Sequence, residues 1–135
     1  MIVLDASVVV DLLLDRARRS GQVMARLDQE SAPIAAPHLL DAEVGHVLRR
    51  AVLRGALPAA LARLALSDLA ALQVERFDHA PLLARAFELR DNASFYDALY
   101  LALAEILEAP LLTRDRRLGA VPGLTARVEV LGEGA

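Results

Sequence analysis

Five short strand-like runs, three of them uncharged and two carrying charges, are separated by stretches long enough for helices and leave this chain few folds to choose from. The runs are residues 2–4, 34–36, 74–77, 111–113 and 127–131, and the intervals between them are amphipathic or rich in Ala and Leu. Parallel strands cannot be joined by a tight turn and need a crossover, which a helix supplies, so this alternation points to a parallel sheet wound with helices. Helices are expected over residues 7–14, capped by Ser7, and over 18–29, 37–54, 58–72, 80–90 and 95–107, with a single turn at 115–118. Pro37 and Pro58 stand where helices should open, and Gly55 and Pro110 where they should stop. The expectation is a three-layer α/β/α domain with a central, mostly parallel sheet of four to five strands. It spans residues 1–131 and leaves 132–135 as a frayed tail. A chain of 135 residues suits one domain with a core of ordinary size.

Composition narrows the function classes. There is no cysteine, which excludes a disulfide framework or a Cys-ligated zinc site and suits the cytoplasm. Charged residues interrupt every apolar stretch before the ~20 residues a membrane span requires, so no membrane association is expected. The start of the chain lacks the basic lead and small-residue cleavage site of a signal peptide. All 15 basic residues are Arg, whose planar donor fork suits phosphate, although codon usage in a GC-rich genome produces the same replacement. Net charge is −3, but without the four acids considered next, 15 basic residues face 14 acidic ones. The overall sign therefore says little about nucleic acid.

Asp5 and Asp115 each follow an apolar run and precede a helix. In a parallel sheet this places both at the carboxyl edge, where open α/β folds keep their sites. Glu43 shares a helical stripe with Leu40, Val44 and Val47, and Asp97 shares one with Tyr100, Leu101 and Ala104. Carboxylates on core-facing stripes are costly unless paired or metal-bound, and several of them converging repel one another. A hard divalent cation relieves that repulsion. Each acid also has a plain structural reading. Asp5 and Asp115 fit helix N-caps, Ser94 and Asp97 have capping-box spacing, and Glu43 could extend from a helix edge. Asp11, Asp15 and Asp41 read as surface or capping residues.

Taken together, the run ending in Asp5-x-Ser7, the helical Glu43, the string from Tyr96 to Ala104 (YDALYLALA) and the segment Leu111 to Asp115 (LLTRD) resemble the PIN-domain nucleases. More narrowly they resemble the VapC-type toxins of bacterial toxin–antitoxin pairs, and the resemblance runs from Met1 to about Val130. It implies Asp5, Glu43, Asp97 and Asp115 as catalytic residues and metal ligands for Mg²⁺ or Mn²⁺, with Ser7, Thr113 and Asn92 as supporting hydrogen-bond groups. The implied activity is hydrolysis of RNA phosphodiester bonds. The implied partners are an RNA substrate and a small antitoxin; charge chemistry suggests that the antitoxin inhibits by inserting an Arg among the acids, and a homodimer is expected from the apolar positions between residues 37 and 72.

Arg114, Arg116 and Arg117 surround Asp115 and are candidate phosphate ligands, while Arg49, Arg50 and Arg54 could either hold phosphates or complement the end of their helix. With only five aromatic residues, an extended base-stacking platform is not expected. The Ala- and Leu-rich stretch 37–72 should expose apolar surface for antitoxin docking and dimerisation. Among rivals, a phosphoacceptor receiver domain needs a lysine that this chain lacks. A two-histidine ribonuclease is disfavoured because His38, His46 and His79 have no strand-end placement. A catalytically silent RNA- or protein-binding module on the same fold remains the alternative, separable by activity with and without metal.

Overall fold

The structure is a computed structural model that describes residues 1–14 and 19–132. Its five strands are β1 (Ile2–Leu4), β2 (Ile34–Pro37), β3 (Val74–Phe77), β4 (Leu111–Thr113) and β5 (Val128–Val130), ordered β3-β2-β1-β4-β5 and parallel throughout. The central strand β1 and its neighbour β4 are buried at every position, as strands covered on both faces must be. Val3 pairs with Leu111 and Leu4 with Leu112, so the residue after each strand emerges beside its neighbour.

The helices are α1 (Ala6–Leu14), α2 (Arg19–Glu30), α3 (Leu39–Leu53), α4 (Ala59–Ala71), α5 (Leu83–Glu88), α6 (Phe95–Leu107) and α7 (Arg116–Gly119), with a 3₁₀ turn over Ala80–Leu82 before α5. From β1 the chain steps outward to β2 and then β3, and right-handed crossovers put α1 to α4 on one face. The return from β3 to β4 runs the other way and puts α5 and α6 on the opposite face. Strand order thus reverses between β1 and β4, and ligands of open α/β sheets bind at such a switch. Helix α6 is buried from Ala98 to Ala104 without a break and packs against β1, β2 and β4 as well as α5. Its alternating Ala and Leu let the backbone approach the sheet while each buried Leu contributes roughly 1.5–3 kcal/mol.

Several boundaries differ from the sequence expectation. Pro37 does not open α3 but closes β2, opposite Phe77. Its missing N–H costs nothing there, because pairing with β1 has already ended at Ala35. The helix expected over residues 80–90 is a 3₁₀ turn followed by the six residues of α5. Ser7 does not cap α1: it lies inside the helix, and the Asp5 carboxylate accepts the Val8 N–H instead. Gly55 does follow α3, at φ 78°, the left-handed conformation that glycine adopts without strain. Asp15, Arg18 and residues 133–135 lie outside the described residues. The apolar surface expected between residues 37 and 72 is present, with Leu53, Leu61, Leu64 and Leu66 exposed. No helix among the described residues is long and apolar enough to cross a membrane.

Candidate functional site

Asp5 is the first residue beyond β1, and its own N–H still bonds the Leu112 carbonyl at 3.3 Å, which ties it to β4. Its carboxylate is 8% exposed. One oxygen accepts the Ser7 hydroxyl at 2.6 Å and the Val8 N–H at 3.2 Å, and the other accepts the Thr113 hydroxyl. Burial nevertheless holds its proton affinity above that of an ordinary aspartate. The hydrogen bonds to Ser7, Thr113 and Val8 oppose that rise, and the charge of Asp97 adds to it.

The two acids on helices are half-buried. Burial raises the affinity of Glu43, the Tyr100 hydroxyl opposes the rise, and the charges of Asp97 and Asp5 reinforce it. Asp97 is likewise raised by burial and by Asp115, against a hydrogen bond from Ser94. Asp97 is therefore coupled electrostatically to each of the other three acids. Asp115 behaves differently. It caps α7 by accepting the Arg117 N–H at 2.9 Å, and the Arg117 guanidinium grips both its oxygens, with the closest contact at 2.7 Å. Arg117 holds it below the usual carboxylate range.

The four acids thus share one electrostatic neighbourhood at the switch between β1 and β4. As they stand, no three His, Asp or Glu side chains among the described residues are close enough to hold a metal ion. Asp115 is drawn aside by Arg117, and Asp5 spends its oxygens on neighbouring donors. In donor chemistry the residues fit Mg²⁺ or Mn²⁺: all are hard oxygen anions, and three of them have a proton affinity raised by burial and mutual repulsion, a cost that a cation removes. Of the supporting groups, Ser7 and Thr113 bond Asp5 directly. Asn92 sits in the exposed turn between α5 and α6, and its side chain bonds none of the acids.

The arginine expectation needs correction. Arg114 does not face a ligand. Its guanidinium turns inward to Asp11 at 2.8 Å, Gln22 at 2.6 Å and the Gly132 carbonyl at 2.6 Å, and the two side chains of the ion pair are 12% and 3% exposed. Asp11 is accordingly a buried partner and not a surface residue; a lone acid within the apolar run VVVDLLL was the sequence signal for it. Asp41 does lie at the surface, paired with Arg76 at 2.8 Å. Arg116 is exposed, while Arg49, Arg50 and Arg54 make no ion pair with any described residue.

Two further residues escaped the sequence reading. The Tyr100 side chain is fully buried, and its hydroxyl has no hydrogen-bond partner within 3.5 Å among the described residues, yet it interacts with Glu43, Asp5 and Asp97. Burial first, then the charge of Glu43, drives its proton affinity far up, so the hydroxyl stays a donor. A tyrosine one turn after a core-facing acid was its signal. His79 accepts the Leu39 N–H at 2.9 Å and so anchors the start of the helix that carries Glu43.

Comparison with known proteins accords with this geometry. Residues 2–124 match the model of the PIN domain family. Ribonuclease VapC1 of Mycobacterium tuberculosis is 48% identical over 130 residues, covering 96% of each chain. Among solved structures, PAE2754 from Pyrobaculum aerophilum superposes with a TM-score of 0.69 at 25% identity, over 96% of this chain and 83% of that one. VapBC2 from Rickettsia felis, bound to a DNA fragment from its promoter, gives 0.68 at 18% identity, over 96% and 98%.

Proposed function

This chain belongs to the PIN-domain family, and from that premise we propose that it is an endoribonuclease, dependent on Mg²⁺ or Mn²⁺, that hydrolyses RNA phosphodiester bonds as the toxin of a type II toxin–antitoxin pair in the cytoplasm. We take residues 1–131 as the single domain that carries the activity. The observation that carries the reading is the coupling of Asp97 to Asp5, Glu43 and Asp115 at the strand-order switch. Near-complete coverage by a ribonuclease relative of 48% identity supports it.

The metal, when bound, lowers the pKa of a water and offsets charge on the phosphodiester. Asp5 and Asp97 would hold it, with Asp115 joining once released by Arg117. Ser7 and Thr113 fix the orientation of the Asp5 carboxylate by bonding one oxygen each. Glu43 has a raised proton affinity and is not gripped by an arginine, which suits one of its carboxylate oxygens to accepting the proton of the attacking water. The apolar cavity of about 260 Å³ between α1, α3 and α4, bordered by Leu13, Val47, Leu61 and Leu64, suits docking of an antitoxin or of a second copy. An antitoxin Arg among the acids would replace the cation and inhibit.

A cleavage assay on single-stranded RNA tests this reading. Activity should need Mg²⁺ or Mn²⁺ and stop in EDTA. Undiminished cleavage in excess EDTA would overturn the metal role, and no cleavage with any divalent ion would leave the silent binding module. Light scattering at micromolar concentration tests the dimer.

A further inference from the structure

A second cavity of about 520 Å³ adjoins the acids, since Glu43 itself forms part of its wall. Its other walls come from Leu39, His46 and Arg50 on α3 and from Tyr96 at the start of α6. Glu43, His46 and Arg50 lie at i, i+3 and i+7 and share one face of the helix. Tyr96 precedes Asp97 in sequence, and its side chain is 61% exposed. Arg50 makes no ion pair with any described residue, whereas Arg114 and Arg117 on the other side of the acids are committed to Asp11 and Asp115. The cavity thus joins an open aromatic ring, an uncommitted guanidinium and an apolar floor to the wall of the acidic crevice.

Resting on the nuclease reading above, we propose that this cavity is a nucleotide subsite: Tyr96 stacks on the base next to the scissile phosphate, and Arg50 holds the phosphate beyond it. A nucleotide is a flat apolar ring carrying an anion, and it matches this wall on both counts. A peptide arginine is drawn instead to the acids. Of the basic residues flanking the acids, Arg114 and Arg117 are therefore spent on Asp11 and Asp115, and α3 supplies the guanidinium that borders this cavity. One exposed aromatic suffices for a single stacked base, without an extended platform.

The test uses the full chain carrying Asp97→Asn, so that RNA is bound but not cut, in Mg²⁺, with a fluorescein-labelled single-stranded RNA hexamer of mixed sequence. A second probe is an abasic ribose-phosphate oligomer of the same length. Adding Tyr96→Ala should weaken RNA binding about tenfold, within the range reported for base–aromatic stacking, while leaving the abasic oligomer unaffected. Tyr96→Phe should stay within about twofold because it keeps the ring. Arg50→Ala should weaken both probes and lower the salt slope by about one, whereas Arg63→Ala on α4 should change neither. The chain has no Trp, so quenching of tyrosine fluorescence by RNA, lost in Tyr96→Phe, reports the stack directly.

RNA binding unchanged in both Tyr96→Ala and Arg50→Ala would overturn the subsite. So would a loss of affinity that merely tracks a change in oligomer mass by light scattering, because the cavity would then be a protein interface. If the Asp97→Asn parent binds neither probe in Mg²⁺, the nuclease reading falls and takes the subsite with it. If the parent binds both but the tyrosine variant discriminates neither, only the subsite fails.

Discussion

Asp5 and Glu43 lie close enough to act on each other's charge and are held in opposite ways. Around Asp5 the polar atoms are matched: hydroxyls from Ser7 and Thr113 and the Val8 N–H reach its two oxygens, and the Arg114 N–H in turn bonds Ser7 at 3.2 Å. The Arg114 guanidinium then runs into the protein to Asp11. Around Glu43 and Asp97 there is little beyond Tyr100 and Ser94, and the acids raise one another's proton affinity. The strand-end half is finished by protein donors during folding. The helix-borne half is left charged and underpaired, so its stabilisation has to come from something that binds. Under the proposed metal-dependent reading, that division gives one rigid carboxylate to fix position and others whose repulsion a cation would relieve.

The sharpest way to break the comparison is at Asp97. Asp97→Asn keeps volume and the backbone contact to Ser94 but removes the charge that couples the acids. RNA cleavage should fall by more than about 100-fold, beyond the upper end of what losing an outer-sphere partner of a metal ligand costs. In EDTA at neutral pH the variant should melt no lower than the parent, since it relieves repulsion. A near wild-type cleavage rate would remove Asp97 from the role assigned to it.

The finished half should fail through folding. Arg114→Met leaves Asp11 charged and buried, and breaking a buried pair this way costs about 3–5 kcal/mol. The loss should sit toward the lower end, because Arg19 approaches Asp11 at 3.8 Å. Denaturant midpoints should show most of it recovered in Asp11→Leu combined with Arg114→Met. Recovery of stability without recovery of Mn²⁺ affinity would show that the pair positions the site as well as the fold.

Metal and pH address the unfinished half. At a concentration 100 times its Kd, Mg²⁺ should add about 2.7 kcal/mol at neutral pH. Without metal, Asp5, Glu43 and Asp97 bind protons more tightly folded than unfolded. Their contribution is therefore complete below the unfolded value of about 4 and is lost as pH rises through the raised folded values. Asp115, Glu105 and Glu129 are shifted down by Arg117, Arg85 and Arg26, so their contribution is present above the unfolded values and is lost only as pH falls through the lowered ones. In the metal-free protein these three acids should accordingly contribute less stability at neutrality than in mild acid. Mg²⁺ or Asp97→Asn should narrow the gap, and a melting temperature that rises steadily from pH 5 to 7 in EDTA would contradict the raised affinities.

The smallest effect is expected at Tyr100. Tyr100→Phe deletes a buried hydroxyl with no partner within 3.5 Å, so stability should change by less than about 1 kcal/mol in either direction. Mn²⁺ affinity should fall a few-fold through the loss of a donor beside Glu43. A loss of several kcal/mol would mean that the hydroxyl is bonded after all.

Much of this was legible because the signals were local. The runs at β3, α6 and β4 match the expected bounds, and the residues after β1 and β4 fall together because parallel pairing forces them to. The capping reading of Asp5 and Asp115 holds, since the carboxylate of each accepts an N–H from the first turn of the helix that follows it. What stayed hidden depended on partners distant in sequence. The direction of Arg114 is decided by an aspartate 103 residues away, and nothing in the stretch RDRR distinguishes an inward arginine from an outward one. Pro37 has the same character: its place in β2 follows from where β1 stops, and local propensity favoured a helix start.

The hydrogen bond from Thr113 to Asp5 spans 108 residues, and the β1–β4 pairing beneath it is equally distant in sequence. On a ribosome adding roughly 5–20 residues per second, Asp5 emerges long before its partner and waits for roughly 5–20 s. During that interval β1 can pair with β2, but the side of the crevice formed by Thr113 and Asp115 does not yet exist. The crevice with both of its sides in place cannot form on the nascent chain until Thr113 and Asp115 have been added. Chain order alone thus delays the joining of the four acids until β4 has been made, with only β2 available to β1 in the meantime.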